Sequence, residues 1–489
     1  MSFSEKDIEQ IKEHGLTSEE VEKQIDNFKK GFPYIDIVKP VTHDDGVVII
    51  DDMPGNYFAN LFSEHAQSLK IVKMVPASGA ATRMFKDFYE FLQTGKMTPE
   101  IRTALDNITE FAFWKDLQTV LPKNPTEIDI IKGIITLYGN TPKGLIPFHK
   151  YGNDIATALE EHLKEGAQYA VSFGDTVNIH FTVSPEHRKD FESLLNKLVQ
   201  IYKAKFHLKE YNFTISEQDK STDTIAVNKD FTPFRNSDGS LLFRAAGHGA
   251  LTKNLNEIDA DLVFIKNIDN VQPDNLRKDT IKYNKILAGK LIQVQKQTFN
   301  FIRQIDSGRL NVELLTKILH DFINNELSIK LQEKLSLSEY RKILNRPIRV
   351  CGVVKNTGAP GGGPFWVRDS NGNISLQIVE SSQINPEFRE NIMSKSEYFN
   401  PVFMVCGIRD LNGNKFDLTQ YVDENTGFIS QKSKDGKDLL AMELPGLWNG
   451  AMAKYNTMFV EVPKSIFSPA KTIFDLLKQE HNNKMIQKG

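Results

Sequence analysis

The turn around Gly79 is the first part of this sequence that could do chemistry. A short apolar run over 71–75 leads into the small residues Ala77-Ser78-Gly79-Ala80-Ala81, and Arg83 follows shortly after. Small residues let backbone N–H groups approach an anion, and the start of a helix adds a favourable partial charge. The planar guanidinium of Arg83 suits the same kind of ligand. The pattern is typical of a phosphate-binding turn, and a plain strand-to-helix turn is the alternative.

Lys143 is a second candidate for a phosphate contact. It lies in the run Pro142-Lys143-Gly144-Leu145-Ile146-Pro147, where two prolines stiffen the chain. A lysine on a stiff loop is a fixed point charge, which suits a phosphate oxygen. For this segment on its own, a solvated surface lysine is the competing interpretation.

Asp269 is the candidate metal ligand. The apolar run over 261–265 predicts a central parallel strand buried on both faces, and Asn267-Ile268-Asp269-Asn270 follows it. Ligands of open α/β sheets bind outside the carboxyl ends of the strands. A carboxylate there is a natural Mg²⁺ ligand beside phosphates, whereas an Asx turn would use the same residues structurally. A further small-residue turn, Gly247-His248-Gly249, permits close backbone approach beside an imidazole.

The elements that must position these residues alternate between strands and helices over 70–270, which predicts an α/β layer with a mostly parallel sheet. Helical spacing dominates the start of the chain and two later stretches. The predicted divisions are an N-terminal helical segment at 1–65, an α/β domain at 66–465, and a C-terminal helix with its tail at 466–489. Two helical insertions are predicted within the α/β domain, at about 85–138 and 272–345.

Charge and composition exclude several classes of protein. The 489 residues carry 60 Lys+Arg and 63 Asp+Glu, and this formal charge of −3 gives no field that would attract nucleic acid or an anionic membrane. No apolar run approaches the roughly 18 residues of a membrane span, and the first residues do not follow the pattern of a signal peptide. The two cysteines are far apart, which excludes a disulfide framework and a Cys-based zinc site. We therefore expect a cytoplasmic globular protein that binds neither nucleic acid nor membranes.

Taken together, these segments resemble the nucleotide-sugar pyrophosphorylases of the UDP-glucose and UDP-N-acetylglucosamine type. The family's small-residue loop followed by Thr-Arg-Met is similar to 77–84, and its Pro-Lys-Gly element is similar to 142–144. Its Gly-His-Gly turn and its Asn-x-Asp-Asn strand end are similar to 247–249 and 267–270, and its late Phe-x-Pro-x-Lys is similar to 467–471. Because these elements follow the family's order, they are more specific together than singly. The chain also resembles an uncharacterised bacterial family, mainly from Bacteroidetes, with no assigned substrate.

The resemblance implies a GT-A-like, Rossmann-type fold with a mixed, mostly parallel sheet flanked by helices. It also implies a Mg²⁺-dependent nucleotidyltransferase that joins a sugar-1-phosphate to a nucleoside triphosphate, UTP being favoured, and releases pyrophosphate. The catalytic residues implied are Arg83, Lys143 and Lys471. The nucleotide-binding residues implied are Ala77, Ser78, Gly79, Ala80, Gln218, Gly247, His248 and Gly249. The sugar-binding residues implied are Asn267, Glu380 and Asn449, and the metal ligand is Asp269.

Two departures from the family pattern leave alternatives open. The loop holds only one glycine, Gly79, and the long stretch between Arg83 and Lys143 requires a helical excursion that returns to the same site. A catalytically silent nucleotide-sugar-binding protein of the same fold is one alternative, favoured by the single glycine and opposed by the joint presence of the charged residues. A glycosyltransferase of this fold is another, although it would need no counterpart of Lys143. The sugar, the base and the oligomeric state are not determined by the sequence.

Overall fold

The computed structural model describes residues 3–79, 81–309, 311–356, 358 and 362–482. The helices in these ranges are α1 (Glu5–Glu13), α2 (Ser18–Lys30), α3 (Asp52–Ala66), α4 (Lys86–Thr94), α5 (Pro99–Asp106), α6 (Trp114–Gln118), α7 (Glu127–Tyr138), α8 (Ala158–Tyr169), α9 (Arg188–Lys205), α10 (Leu251–Glu257), α11 (Lys278–Ser307), α12 (Val312–Asn325), α13 (Leu337–Leu344) and α14 (Pro386–Ser394).

The strands in the same ranges are β1 (Ile37–Pro40), β2 (Val47–Val48), β3 (Ile71–Pro76), β4 (Pro147–Tyr151), β5 (Asp154–Thr157), β6 (Val171–Ser172), β7 (Thr176–Val183), β8 (Glu210–Glu217), β9 (Thr224–Ile225), β10 (Phe243–Arg244), β11 (Leu262–Lys266), β12 (Ile329–Lys330), β13 (Ile348–Lys355), β14 (Gly363–Arg368), β15 (Ile374–Val379), β16 (Tyr398–Phe399), β17 (Phe403–Gly407), β18 (Phe428–Lys434), β19 (Lys437–Glu443) and β20 (Asn456–Glu461).

The main sheet has the order β2-β20-β13-β17-β11-β3-β7-β8, with the short strands β6 and β16 beside β7 and β13. Strands β11, β3, β7 and β8 are parallel neighbours, and so are β2, β20 and β13. Strand β17 runs antiparallel to both of its neighbours, β11 and β13. The prediction of an α/β fold with a mixed, mostly parallel sheet is confirmed. The strand predicted at 261–265 forms as β11, Leu262–Lys266, and is buried throughout, although it has a parallel neighbour on one side only.

Helix starts follow the local signals of the sequence. Ser4 and Thr17 each form a capping box, in which the side chain of the first residue and that of the third helical residue satisfy each other's backbone N–H groups. Thr98 caps α5 with proline at its first position. These helices begin where their capping residues stand because free N–H groups at a helix start need acceptors.

The main sheet is covered on both faces because alternate residues of its strands point to opposite sides. On β11, Leu262 and Phe264 pack with α3, α11 and α12, whereas Val263 and Ile265 pack with α10 and with the second sheet. That second sheet has the order β1-β14-β15-β12. Helix α11 is therefore part of the cover of the main sheet, where the sequence predicted an insertion over 272–345.

The segment between Arg83 and Lys143 contains α4 to α7, and its apolar residues form one core with β3, β7, α8 and α9. The N-terminal 1–65 is not purely helical, since β1 joins the second sheet and β2 forms an edge of the main sheet. The C-terminal helix predicted within 466–489 is wrong for the part of it described: only a five-residue 3-10 helix, Ile473–Leu477, forms there. The apolar side chains of this segment already pack into the core through the 3-10 helix and the residues before it. No continuous amphipathic helix is needed to bury them.

Among the residues that the structure describes, no helix combines the length and hydropathy needed to cross a membrane.

Candidate functional site

The turns that follow four parallel strands meet at one edge of the main sheet. After β3, the backbone N–H of Ala77 donates to the carbonyl of Thr182, 2.9 Å away, at the end of β7. Ser184 Oγ donates to the carbonyl of Ser78 at 2.8 Å, and Gln218 Nε2, just beyond β8, donates to Ser78 Oγ at 3.3 Å. The carboxyl ends of parallel strands are the usual ligand-binding edge of such sheets.

Lys143, Asp269 and Lys471 form a charged triad at this edge, which we call the open triad. Lys143 Nζ lies 2.8 Å from Asp269 Oδ2, and Lys471 Nζ lies 3.4 Å from the same oxygen. The side chains of Lys143 and Asp269 are 13% and 10% exposed, whereas that of Lys471 is 61% exposed. Two positive charges and one negative charge therefore meet, and Lys471 opens the triad to solvent.

The charge balance of the open triad favours an anion. Burial by itself would raise the pKa of Asp269, but the ammonium groups of Lys143 and Lys471 outweigh burial and hold that pKa below its usual value. Asp269 is thus ionised near neutral pH, and one positive charge of the triad is left uncompensated. A phosphate oxygen could exchange with Asp269 as the partner of either lysine.

The chain that carries Lys471 crosses the site as the segment 467–482, which contains the 3-10 helix Ile473–Leu477 and which we call the strap. Its Ala470 N–H donates to the backbone carbonyl of Asp269 at 3.0 Å, and its Ile473 N–H donates to the carbonyl of Met84 at 3.1 Å. Lys143 Nζ also donates to the carbonyl of Ala470 at 2.8 Å. The strap therefore joins the turn after β3 to the turn after β11. We call the open triad, the strap and the turn after β3 together the first cluster.

Arg83 directly precedes Met84, the residue whose carbonyl accepts from the strap. It ends the 3-10 helix Ala81–Arg83, and its side chain is exposed. Gly79 has open space around the position where a side chain would begin. The backbone is therefore accessible at Gly79, the one glycine of the family's loop that is present, whereas Ala77 is buried and its N–H is bonded to Thr182. Ala80, the fourth nucleotide-binding residue predicted here, lies outside the described residues.

A second cluster joins His248, Glu380 and Asn449, which the resemblance placed near the nucleotide and the sugar. His248 Nε2 donates to Glu380 Oε1 at 2.9 Å, and Asn449 Nδ2 donates to the same oxygen at 2.6 Å. The N–H of Leu447 donates to His248 Nδ1 at 3.0 Å, which assigns the proton of the neutral ring to Nε2. Trp448 stacks on His248 with ring centres 4.1 Å apart.

Burial by itself would raise the pKa of Glu380, but the hydrogen bonds from His248 and Asn449 hold that pKa below its usual value. The second cluster therefore presents an ionised carboxylate with fixed donors.

The Gly-His-Gly turn needs its glycines for packing. Gly247 has a φ of +71°, and a side chain on it would begin 2.5 Å from Glu443 Oε2. A side chain on Gly249 would begin 2.5 Å from the carbonyl of Pro445. Helix α10 follows this turn and reaches the first cluster's edge, where Asn254 Nδ2 donates to the carbonyl of Glu217 at 2.8 Å. The turn is thereby fixed next to Gln218.

The tertiary structure adds contributors that the sequence did not indicate. Trp448, Ser184 and the carbonyl of Ala470 take part in the two clusters, and no local pattern marks them. Asn267 contributes its carbonyl, which accepts from His162 Nε2 at 3.2 Å, and within the described ranges its side chain has no hydrogen bond to either cluster. The sugar-binding role predicted for Asn267 thus has no supporting contact.

The residues present fit Mg²⁺ only together with a phosphate ligand. Within the described part of the chain, no group of three or more His, Cys, Asp and Glu side chains could hold a metal ion. Asp269 supplies a single carboxylate, and one of its oxygens already accepts from both lysines. Mg²⁺ commonly binds through one or two carboxylates, with phosphate oxygens and waters completing its shell.

Comparison with solved structures finds several similar chains. A mutant UDP-glucose pyrophosphorylase from Leishmania major is 14% identical, with 97% of this chain and 79% of that chain covered and a TM-score of 0.46. The UDP-glucose phosphorylase from Trypanosoma brucei is 14% identical, with coverages of 96% and 77% and a TM-score of 0.46. The uridine diphosphate N-acetylglucosamine pyrophosphorylase from Trypanosoma brucei is 11% identical, with coverages of 94% and 74% and a TM-score of 0.47.

No curated protein matches the chain significantly. A family model described as a domain of unknown function, DUF4301, matches residues 4–482. This match extends over both clusters and the strap, and the chain belongs to the DUF4301 family.

Proposed function

We propose that this protein is a nucleotidyltransferase that joins a sugar-1-phosphate to a nucleoside triphosphate and releases pyrophosphate. UTP is the favoured triphosphate, and the GT-A-like form of the fold is part of the proposal. The observation that carries it is the open triad, in which Lys143 and Lys471 share one oxygen of Asp269 at the carboxyl ends of β3 and β11. The order of the motifs along the sequence agrees with it.

In the proposed reaction, an oxygen of the sugar-1-phosphate attacks the α-phosphorus of the triphosphate. The new P–O bond forms as the bond to the β-phosphate oxygen breaks, and pyrophosphate leaves with that electron pair. The attacking phosphate is already ionised, so no protein base is required. Catalysis then depends on bringing two polyanions together and on compensating the charge of the transition state.

The side chains of the first cluster have the charges for this task. Lys143 and Lys471 would exchange Asp269 for phosphate oxygens, and Arg83 would contact the same triphosphate from the turn after β3. The backbone at Ala77, Ser78 and Gly79 would hold the triphosphate, with Ala80 as the expected fourth member.

The second cluster has the groups that would bind the rest of the nucleotide sugar. Gln218 and the turn Gly247-His248-Gly249 would face the nucleotide. Glu380 and Asn449 would hold the sugar hydroxyl groups, since a carboxylate and an amide are strong hydrogen-bonding partners for them. Asn267 stays a proposed sugar contact from the resemblance alone.

Asp269 is the residue that would hold Mg²⁺. When bound with the triphosphate, this ion would neutralise phosphate charge. Because two ammonium groups adjoin Asp269, we expect no Mg²⁺ binding to the protein without a nucleotide.

A catalytically silent binder of nucleotide sugars is the second candidate. The single glycine at Gly79 favours it. Such a protein would bind nucleotide through the same residues, and would release no pyrophosphate with any sugar-1-phosphate.

The experiment measures pyrophosphate release with Mg²⁺, a set of nucleoside triphosphates and a panel of sugar-1-phosphates, together with thermal shifts for each nucleotide. Asp269→Asn should keep the fold and lose nearly all Mg²⁺-dependent release. Asp52→Asn is the matched control, since Asp52 pairs with Lys282 at an exposed helix start. Nucleotide-dependent stabilisation without release in the parent would favour the silent binder, and release by Asp269→Asn at the parent rate would make Asp269 a turn residue.

A further inference from the structure

The far end of the strap is anchored in a buried hydrogen-bond chain. His481 Nδ1 lies 2.9 Å from His149 Nε2, and His149 Nδ1 lies 3.0 Å from Glu161 Oε1. The side chains of His149 and Glu161 are fully buried, and His481 is only 4% exposed. Polar groups at such depth are costly unless they are hydrogen-bonded, so this chain specifies one arrangement of its members.

Glu161 is itself fixed from several sides. It accepts from Tyr151 OH at 2.7 Å and lies 3.5 Å from Lys164 Nζ, and Arg277 donates to its other oxygen. These partners and the hydrogen bond from His149 hold the pKa of Glu161 at about 2, although burial alone would raise it. A carboxylate held in this way orients the imidazole of His149 and assigns a proton to its Nδ1.

The histidine pair joins the two segments that carry the lysines of the open triad. His149 lies on β4, which begins shortly after the 3-10 helix Lys143–Leu145. His481 lies on the strap, which carries Lys471. The near ends of these segments are joined by the hydrogen bond from Lys143 Nζ to the Ala470 carbonyl, and the far ends by His149 and His481.

The protonation of His481 supports a permanent link. Burial, reinforced by the neighbouring His149, lowers the pKa of His481 to about 3. His481 therefore stays neutral at ordinary pH, and one nitrogen of the pair donates while the other accepts.

We propose that His149 and His481 are positioning residues that set the distance between the Lys143 segment and the Lys471 strap, and thereby the geometry of the phosphate site. This inference rests on the proposed function, because it assigns both lysines to one phosphate ligand. The two hydrogen-bonded junctions fix the strap at both of its ends, and neither histidine touches the ligand.

The test compares His481→Asn with His481→Leu. The δ atoms of asparagine stand where Nδ1 of histidine stands, so asparagine can keep the link to His149, whereas leucine keeps the apolar packing and loses the link. Inorganic pyrophosphate is the probe, and its dissociation constant is measured by calorimetry. Hydrogen exchange of the strap amides is measured on the same proteins.

We expect His481→Leu to weaken pyrophosphate binding by up to about fivefold, no more than an exposed lysine contributes, and to speed exchange over 468–477. His481→Asn should stay near the parent in both. In a Lys471→Ala background, His481→Leu should have no further effect on affinity, because the two changes then remove one shared contribution. This non-additivity separates positioning of Lys471 from general loosening of the fold.

Faster exchange in His481→Leu with unchanged pyrophosphate affinity would overturn the proposal, and so would additive losses with Lys471→Ala. A parent that does not bind pyrophosphate would overturn it together with the proposed function. Pyrophosphate binding that depends on His481, in a protein that transfers no nucleotidyl group, would support the positioning role and refute only the catalytic one.

Discussion

Two triads, each made of two lysines and one carboxylate, differ in their burial. In the open triad, Lys143 and Lys471 meet one oxygen of Asp269 at the surface. In a second triad, which we call the buried triad, Lys73 lies 2.9 Å from Glu165 Oε2 and Lys266 lies 2.8 Å from Glu165 Oε1. The buried triad thus gives each lysine its own oxygen, whereas the open triad leaves both lysines on one.

The difference is that a solute can reach the open triad through Lys471, which is 61% exposed, whereas the buried triad is closed to solvent. Lys73 and Glu165 have no exposed surface and Lys266 has 2%, so no substrate can replace Glu165. Burial lowers the pKa of Lys73 to about 7, and the charge of Glu165 opposes that shift.

The two triads are nevertheless adjacent in the fold. Lys73 and Lys266 lie on β3 and β11, the strands whose following turns carry Arg83 and Asp269. His162, next to Glu161 on α8, donates to the carbonyls of Asn267 and Ile268. Helix α8 therefore holds the backbone directly before Asp269 in place, and contributes no side chain to the open triad.

The largest effect on stability is expected from the buried triad. Glu165→Gln leaves two buried lysines without their carboxylate, and removing one partner from a buried ion pair costs about 3–5 kcal/mol of unfolding free energy. Urea unfolding measures this loss. Asp269→Asn, in the open triad, should cost far less. Equal losses in the two variants would contradict the distinction drawn from burial.

The next effect is on turnover, and it is expected from Lys143. An ammonium ~4 Å from a phosphate oxygen contributes on the order of 4 kcal/mol at an effective dielectric of about 20, before desolvation. If about 3 kcal/mol of this electrostatic stabilisation arises only as charge develops in the transition state, Lys143→Ala slows turnover roughly a hundredfold or more. Single-turnover pyrophosphate release at saturating nucleotide measures it. Lys282→Ala is the control, and a rate equal to the parent's would remove Lys143 from the site.

A smaller effect on turnover is expected from Lys471. Its side chain is 61% exposed, against 13% for Lys143, so solvent screens its charge more strongly. Exposed ion pairs contribute about 0–1 kcal/mol, so Lys471→Ala should slow single-turnover release by less than roughly tenfold. A loss as large as that of Lys143→Ala would show that ligand binding buries Lys471.

The smallest effect is expected on the pH dependence of stability, through His162 beside the buried triad. Burial, together with the charge of Lys73, lowers the pKa of His162 well below its ordinary value, so His162 is neutral in the folded protein. The unfolded chain then binds one proton more as the pH falls below about 6.5, and stability declines by up to about 1.4 kcal/mol per pH unit for this group. The full contribution is present above that pH.

His162→Gln can keep the donor at the Nε2 position and cannot titrate, so urea unfolding between pH 7.5 and 5 should show a flatter decline than in the parent. Identical pH profiles for the two proteins would exclude His162 as the titrating group.

The sequence by itself determined the local elements and the candidate residues. Capping boxes at Ser4 and Thr17, proline after Thr98 and the apolar run of β11 are short-range signals, and short-range interactions decide them in the structure. The fold class followed from the alternation of these elements. The site residues were found because small-residue turns and single charged residues stood at predicted strand ends.

Only the tertiary structure decided which charges pair and which are buried. Lys143 is 126 residues from Asp269, and Lys471 is 202 residues from it. The apolar runs around Lys73 and Lys266 agree with their burial, but nothing near them in the sequence identifies Glu165 as their shared partner. The apolar spacing of the strap predicts a helix. The same spacing also suits an irregular segment whose apolar side chains pack into a core, and the strap is such a segment. Sheet order and packing place these groups, because the free energy of a charge depends on its surroundings across the whole fold, which local spacing does not encode.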